Sequence, residues 1–271
     1  MKLYKLAPIC GVLLLALAVC GCARLKARDH LNKGVQAYRN AQFQPAIMHF
    51  KEAVRLDPSL LNARLYLATA YAQQYVPGGD SADNKQIAQQ AIDAFQDVLR
   101  VDPTSTSALA SIATIYYNQK KFDEAKEYQQ RWLKLEPNNP VPYYWIGVLD
   151  WAEAFPNAQA VRKEHNIDIP NKDGELPVIP EKFRTDLAEK NGKLVDEGLK
   201  ALQKAIELHP NDVDSMAYLN LMYRQKAEID EDNETRAADL KLADDWVNKN
   251  LAIRKAGTAS GTSEAAPAAT Q

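Results

Sequence analysis

The sequence ends four apolar-periodic runs in the same way. AVRLDPSLLNA (53–63), VLRVDPTSTSA (98–108), WLKLEPNNPVP (132–142) and AIELHPNDVDS (205–215) each carry an apolar stretch, one charged or polar residue, then Pro and a polar turn. Proline lacks the N–H that the helical ladder needs, and it biases the residue before it toward an extended conformation. Each copy therefore reads as a helix stop. Pro58, Pro103, Pro137 and Pro210 stand 45, 34 and 73 residues apart. A chain that reuses one stop four times is a repeat protein, whose units bury a continuous core only by stacking.

The residues before each stop fill a common pattern. The first unit holds Gly34, Ala46, Phe50 and Ala53, and the second Leu67, Ala68, Tyr71, Ala91 and Phe95. The third holds Ile112, Ala113, Tyr116 and Ala125, and the fourth Ile146, Gly147, Gly198 and Ala205. A fifth begins at Val213 with Leu219 and Tyr223, and its second helix, around 237–251, aligns loosely. Small residues let two helices approach closely, while the large apolar ones fill the space between units. These positions and the 34-residue spacing resemble the tetratricopeptide repeat, across about residues 29–254. The resemblance implies an all-α fold: a helical-hairpin solenoid of about five units over 29–255, two of them with insertions.

Both insertions are visible as excess length. The second unit is 11 residues longer than the repeat, near 75–85, where Pro77-Gly78-Gly79-Asp80 predicts a turn. The fourth is 39 residues longer, and its extra segment, near 152–180, is rich in Pro and polar residues and reads as largely irregular. Helical spacing returns with Phe183, Leu187, Leu194, Leu199, Leu202 and Ile206, which predicts one long helix over about 181–208. Residues 256–271 are small and polar and read as a disordered tail.

Residues 1–21 read as a leader: Lys2 and Lys5 precede an apolar run to Val19, then small residues. Val19-Cys20-Gly21-Cys22 resembles the lipobox of bacterial lipoproteins, which implies lipid attachment, including palmitate-type acyl chains, at Cys22. Residues 22–28 then read as a lipid anchor and short basic linker, with Arg24, Lys26 and Arg28 close to the membrane. Cys10 and Cys20 leave with the leader, so no disulfide forms within the mature chain. Under the sorting rule of such lipoproteins, Ala23 in place of Asp favours the outer membrane, facing the periplasm.

Catalytic signatures are missing. The sequence has no phosphate-cradling P-loop, no nucleophile elbow and no zinc-protease helix. His30, His49, His165 and His209 read as lying on separate units without metal-ligand spacing. The acidic run 228–234 lacks the Gly and the bidentate Glu of a calcium loop and reads as solvated. A net charge of −2 gives no bias toward nucleic acid. The expectation is a non-enzyme without cofactor or metal.

What remains is surface. In the family this chain resembles, the first helix of each unit lines a groove that holds extended peptides or partner helices. That face carries Tyr117, Asn118, Tyr144, Val148, Trp151, Arg224 and Gln225 as the candidate partner-binding residues, with Tyr117, Tyr144 and Trp151 in adjoining units. Aromatic and Arg side chains dominate binding energy at interfaces. The relatives that grip a C-terminal carboxylate use Lys and Asn where this chain has Leu31, Val35, Leu65, Thr69, Ala110 and Thr114. The function expected is a scaffold or assembly factor for a protein or peptide partner. A small-ligand receptor or enzyme built between the groove and the 152–180 insertion is the competing reading, and homo-oligomerisation through the long helix is a third.

Overall fold

In the computed structural model, which describes residues 7–172 and 176–259, the chain is all-α. Among the described residues there are ten helices: α1 (Ala7–Arg39), α2 (Phe43–Leu56), α3 (Leu61–Ala72), α4 (Ala82–Val101), α5 (Thr106–Asn118), α6 (Phe122–Leu135), α7 (Pro140–Glu164), α8 (Glu181–Leu208), α9 (Val213–Ile229) and α10 (Asn233–Ala259). The start of the leader and most of the tail expected over 256–271 lie outside the described residues. No helix among the described residues is long and apolar enough to cross a membrane. The chain divides into two compact units, Met1–Lys121 and Phe122–Gln271.

The repeated stops work as their chemistry dictates. Asp57, Asp102 and His209 each stand before a Pro, and each is extended, with φ near −135° and ψ near +90°. In the first two, the carboxylate accepts from the backbone N–H and the hydroxyl two residues on, Ser59 after Asp57 and Thr104 after Asp102. This Asx-type turn rewards the Asp-Pro-Ser/Thr sequence locally.

In the first unit, α2 packs on α1 and α3, and α4 on α3 and α5. Gly34 is required here: a Cβ would lie 2.5 Å from the Phe50 ring, which is fully buried. The cluster around Phe50 is apolar, with Ala37, Ala46, Ile47 and Ala70, flanked by Leu31, Val35, Tyr38, Leu67 and Tyr71. The first insertion is smaller than its length suggests, because α4 is 20 residues long against 14 for α2. Its turn is tied by Asn84, whose amide bonds the backbone of Val76 twice and the Gly79 carbonyl, each at 2.8 Å.

In the second unit, α7 and α8 run antiparallel in a single register. Gly147 meets Leu202, Asp150 meets Gly198, Asn157 bonds Asn191, and His165 stacks on Phe183 at 3.5 Å. A Cβ on Gly147 would come within 2.3 Å of Leu202, so Gly is needed for this approach. The span predicted over 181–208 is α8. The irregular segment predicted near 152–180 requires correction: α7 continues through Pro156 to Glu164. Proline removes one ladder bond and crowds the preceding turn, but packing along α8 outweighs that local cost. Ala154 and Ala158 are buried there, and Asn191 donates to the Ala154 carbonyl at 2.9 Å. Past Glu164 the helix is closed by Asn166, whose φ of +56° and the Ile167 N–H bond to the Arg162 carbonyl form a left-handed cap.

Candidate functional site

The residues predicted for the groove fare differently. Tyr117 and Asn118 end α5, in the first unit, and are half-buried. On α7, positions 144, 148, 151 and 155 share one face, spaced by three or four residues. Tyr144 and Trp151 are half-buried, and both are touched by Tyr218 of α9, edge to face, with ring centroids 5.7 and 5.5 Å away. Phe155, 37% exposed, stacks on Trp151 at 5.1 Å, and Trp145 packs edge-on against Tyr144 at 5.6 Å. The structure thus assembles Tyr144, Trp151, Phe155 and Tyr218 into one aromatic edge on the first helices of two successive hairpins.

Three predicted residues are placed otherwise. Val148, at the centre of that face, is only 2% exposed, so it offers no surface to a partner. Arg224 bonds Asp244 of α10 at 2.7 Å and Asn220 at 3.0 Å, which ties it across the fifth hairpin. Gln225 is buried, and its Oε1 has no partner; the indole Nε1 of Trp151 is also buried without one. An unmade bond at a buried polar atom costs about 1–3 kcal/mol.

Sequence reasoning missed Tyr218 and Phe155. Tyr218 borders the buried stripe Met216–Leu219–Met222 of α9, and that flanking position was the available signal. Phe155 lay inside the segment read as irregular, so its place on the α7 face was hidden.

Beside the aromatic edge, α7 turns a second chemistry toward α6 and α8. Asp150 is fully buried and paired with Lys126, which also donates to Glu197 at 3.0 Å. Burial pushes the Asp150 carboxyl up to about 6, against the pull of Lys126. Burial works on Lys126 and Glu197 too, but the hydrogen bonds and charges of Asp150 first and Glu197 second lift Lys126 above its ordinary value, and those of Lys126 and Lys193 hold Glu197 below its own. The pair is unequal: Lys126 has two acceptors, while Asp150 carries the desolvation.

The described residues of the 165–180 segment pack on the far end of the α7–α8 hairpin. Arg162, 1% exposed, donates to the carbonyls of Ile167 at 3.2 Å and Pro177 at 2.7 Å and pairs with Glu228 of α9. Ile179 is buried against Ala158 and Leu187. The acidic run is not simply solvated either. Asp230 is buried with Lys226 and Asp239, while Asp232 accepts from Thr235 at the start of α10. Among the described residues, no group of three or more His, Cys, Asp or Glu is placed to hold a metal ion.

In the first unit, residues 22–28 lie within α1. Cys22 is exposed, Ala27 is fully buried, and Arg24 lies 4.0 Å from Asp57. Arg24, Lys26 and Arg28 are all exposed.

Comparison with known proteins agrees with this fold. A tetratricopeptide repeat model matches residues 88–145. No curated protein matches the sequence. The crystal structure of a MamA protein superposes with a TM-score of 0.55 at 16% identity, covering 86% of this chain and 94% of its own. A MamA RS-1 double mutant gives 0.56 at 17% identity, covering 86% and 97%. MamA from Desulfovibrio magneticus RS-1 gives 0.54 at 17% identity, covering 85% and 96%. At such identity the likeness is one of fold. The fold is that of an all-α tetratricopeptide-type solenoid, with the repeat itself matched over residues 88–145.

Proposed function

We propose that this chain is a non-catalytic lipoprotein of the bacterial envelope that grips a protein or peptide partner on the aromatic edge of α7 and α9. The observation that carries the reading is the joining of Tyr144, Trp151, Phe155 and Tyr218 on one partly exposed face. Rigid aromatic side chains bring large contact area at small entropic cost, and they are the usual anchors of binding energy. The titratable group beside Trp151, Asp150, is turned to α6 and α8 instead, which favours a partner surface over a reactive pocket.

Acylation of Cys22 would hold the chain at the membrane, with Ala23 directing it to the outer membrane. Because 22–28 is helical, Arg28 lies about 9 Å along the axis from Cys22. The exposed Arg24, Lys26 and Arg28 would then meet anionic headgroups, each worth roughly 1 kcal/mol near the surface. The role is that of a scaffold or assembly factor.

Crosslinking pull-downs from intact envelopes test the reading, comparing wild type with Tyr144→Ala/Trp151→Ala/Tyr218→Ala in a chain that circular dichroism shows to be folded. A discrete partner recovered by the wild type and lost by the variant is expected. The same partners surviving the change would remove the aromatic edge from the function. Cys22→Ser should move the chain from the membrane to the soluble fraction, and retention at the membrane would contradict lipid anchoring.

A further inference from the structure

His30 on α1 and His49 on α2 are 19 residues apart in sequence, and their Nδ1 atoms lie 3.2 Å apart in the folded hairpin. The expectation that these histidines sit on separate units is therefore wrong. Antiparallel pairing of α1 with α2 brings them together, half-buried, with ring centroids 5.4 Å apart and planes tilted by 47°. We propose that this pair is a two-histidine site for a divalent transition cation of the zinc, nickel or copper type, clipping α1 to α2.

The separation is the first argument. Imidazole nitrogens bind zinc at about 2.0–2.1 Å, so two such ligands stand about 3.3 Å apart at a tetrahedral angle and about 2.9 Å apart at a right angle. The observed 3.2 Å falls between those values. The helix backbones need not move.

The surroundings are the second argument. Neutral imidazole is the natural ligand for borderline cations, which bind it in preference to hard ions such as calcium. Asp29 and Glu52 flank the pair. Lys33 donates to Asp29, and Arg55 donates to Glu52. Both carboxylates are engaged at 2.7 Å with those cations, which leaves the two imidazoles as the protein ligands. Two protein ligands leave the remaining positions to water, or to a donor from a bound partner. Without metal, one Nδ1–H donates to the other nitrogen, and the same contact is an ordinary hydrogen bond.

The test is thermal unfolding of the full chain in detergent with Zn²⁺ or Ni²⁺ alone, beside copper paramagnetic resonance. A cation that binds the folded hairpin with a dissociation constant near ~10 μM should raise the midpoint by roughly 3–10 °C at 1 mM. His30→Gln and His49→Gln should each abolish the shift, and Cys22→Ser should keep it. The copper spectrum should show coupling to two imidazole nitrogens in wild type and to no more than one in either histidine variant. No shift, a shift that survives both histidine changes, or one lost with Cys22→Ser would overturn the proposal.

Discussion

The α1–α2 and α7–α8 hairpins solve the same packing problem with different materials. Around Phe50 the first hairpin is almost wholly apolar, and Gly34 lets the ring lie against the α1 backbone. The second begins alike, with Gly147 under Leu202. It then continues past the repeat length with Asp150, Asn157, Asn191 and Arg162, each tied to a named partner. Repeat chemistry specifies close contact through small and large apolar residues. Where the helices outrun the repeat, polar pairs take over the register, and they do so at the cost of burying charge.

Two substitutions should separate these materials with the largest effects. Phe50→Ala should cost about 3–5 kcal/mol, spread over the first unit as a lowered denaturation midpoint. Arg162→Met should also cost about 3–5 kcal/mol, since Glu228 and two carbonyls lose a buried cation. Its signature should be local: limited proteolysis should cut within 165–180 well before the rest of the unit. Equal protease resistance in wild type and variant would show that Arg162 does not hold that segment.

The buried carboxylate gives a smaller, pH-resolved effect. Asp150 titrates at about 6 when folded and near its ordinary 3.8 when unfolded. Between those values the folded chain binds more protons, so stability falls as pH rises through that window and is unaffected by Asp150 below it. The contribution is on the order of 2–3 kcal/mol. Asp230, also raised to about 6 by burial, acts with the same sign. Asp150→Asn should therefore flatten, without abolishing, the decline in stability between pH 4 and pH 7 followed by urea denaturation. An unchanged profile would mean that water reaches this carboxylate.

Smaller still is Gly34→Ala. The added methyl meets the Phe50 ring, and overpacking of this kind costs about 1–3 kcal/mol. The same change at Gly192, where a Cβ meets nothing within 4 Å, should be neutral or slightly stabilising. A similar response at both glycines would remove close helix approach as the reason for Gly34.

Much of the fold was legible because repeats state their own boundaries. The Asp-Pro-Ser/Thr stops and the returning helical spacing after Glu181 are local signals, and local chemistry fixes them. Pro156 misled for the same reason: its local preference opposes helix, and only the distant Asn191 and the buried Ala154 and Ala158 overrule it. The site was half legible. Tyr144 and Trp151 follow from helical spacing, but Tyr218 joins them through the packing of α9 on α7, which no spacing within one helix encodes. Val148 sits on the same helical face and is nonetheless buried, because face alone does not fix depth. The His30–His49 contact depends on the register of two helices and was hidden by sequence distance.

The most direct test of the account places a photo-crosslinking amino acid at Phe155, on the aromatic edge, and separately at Met48, a comparably large apolar residue that is 70% exposed on α2. The two hairpins are then compared in living cells. A discrete protein adduct from position 155 and none of that mass from position 48 is the predicted result. Identical adducts from both positions, or none from 155 in a folded and membrane-bound chain, would contradict partner binding on the α7–α9 edge.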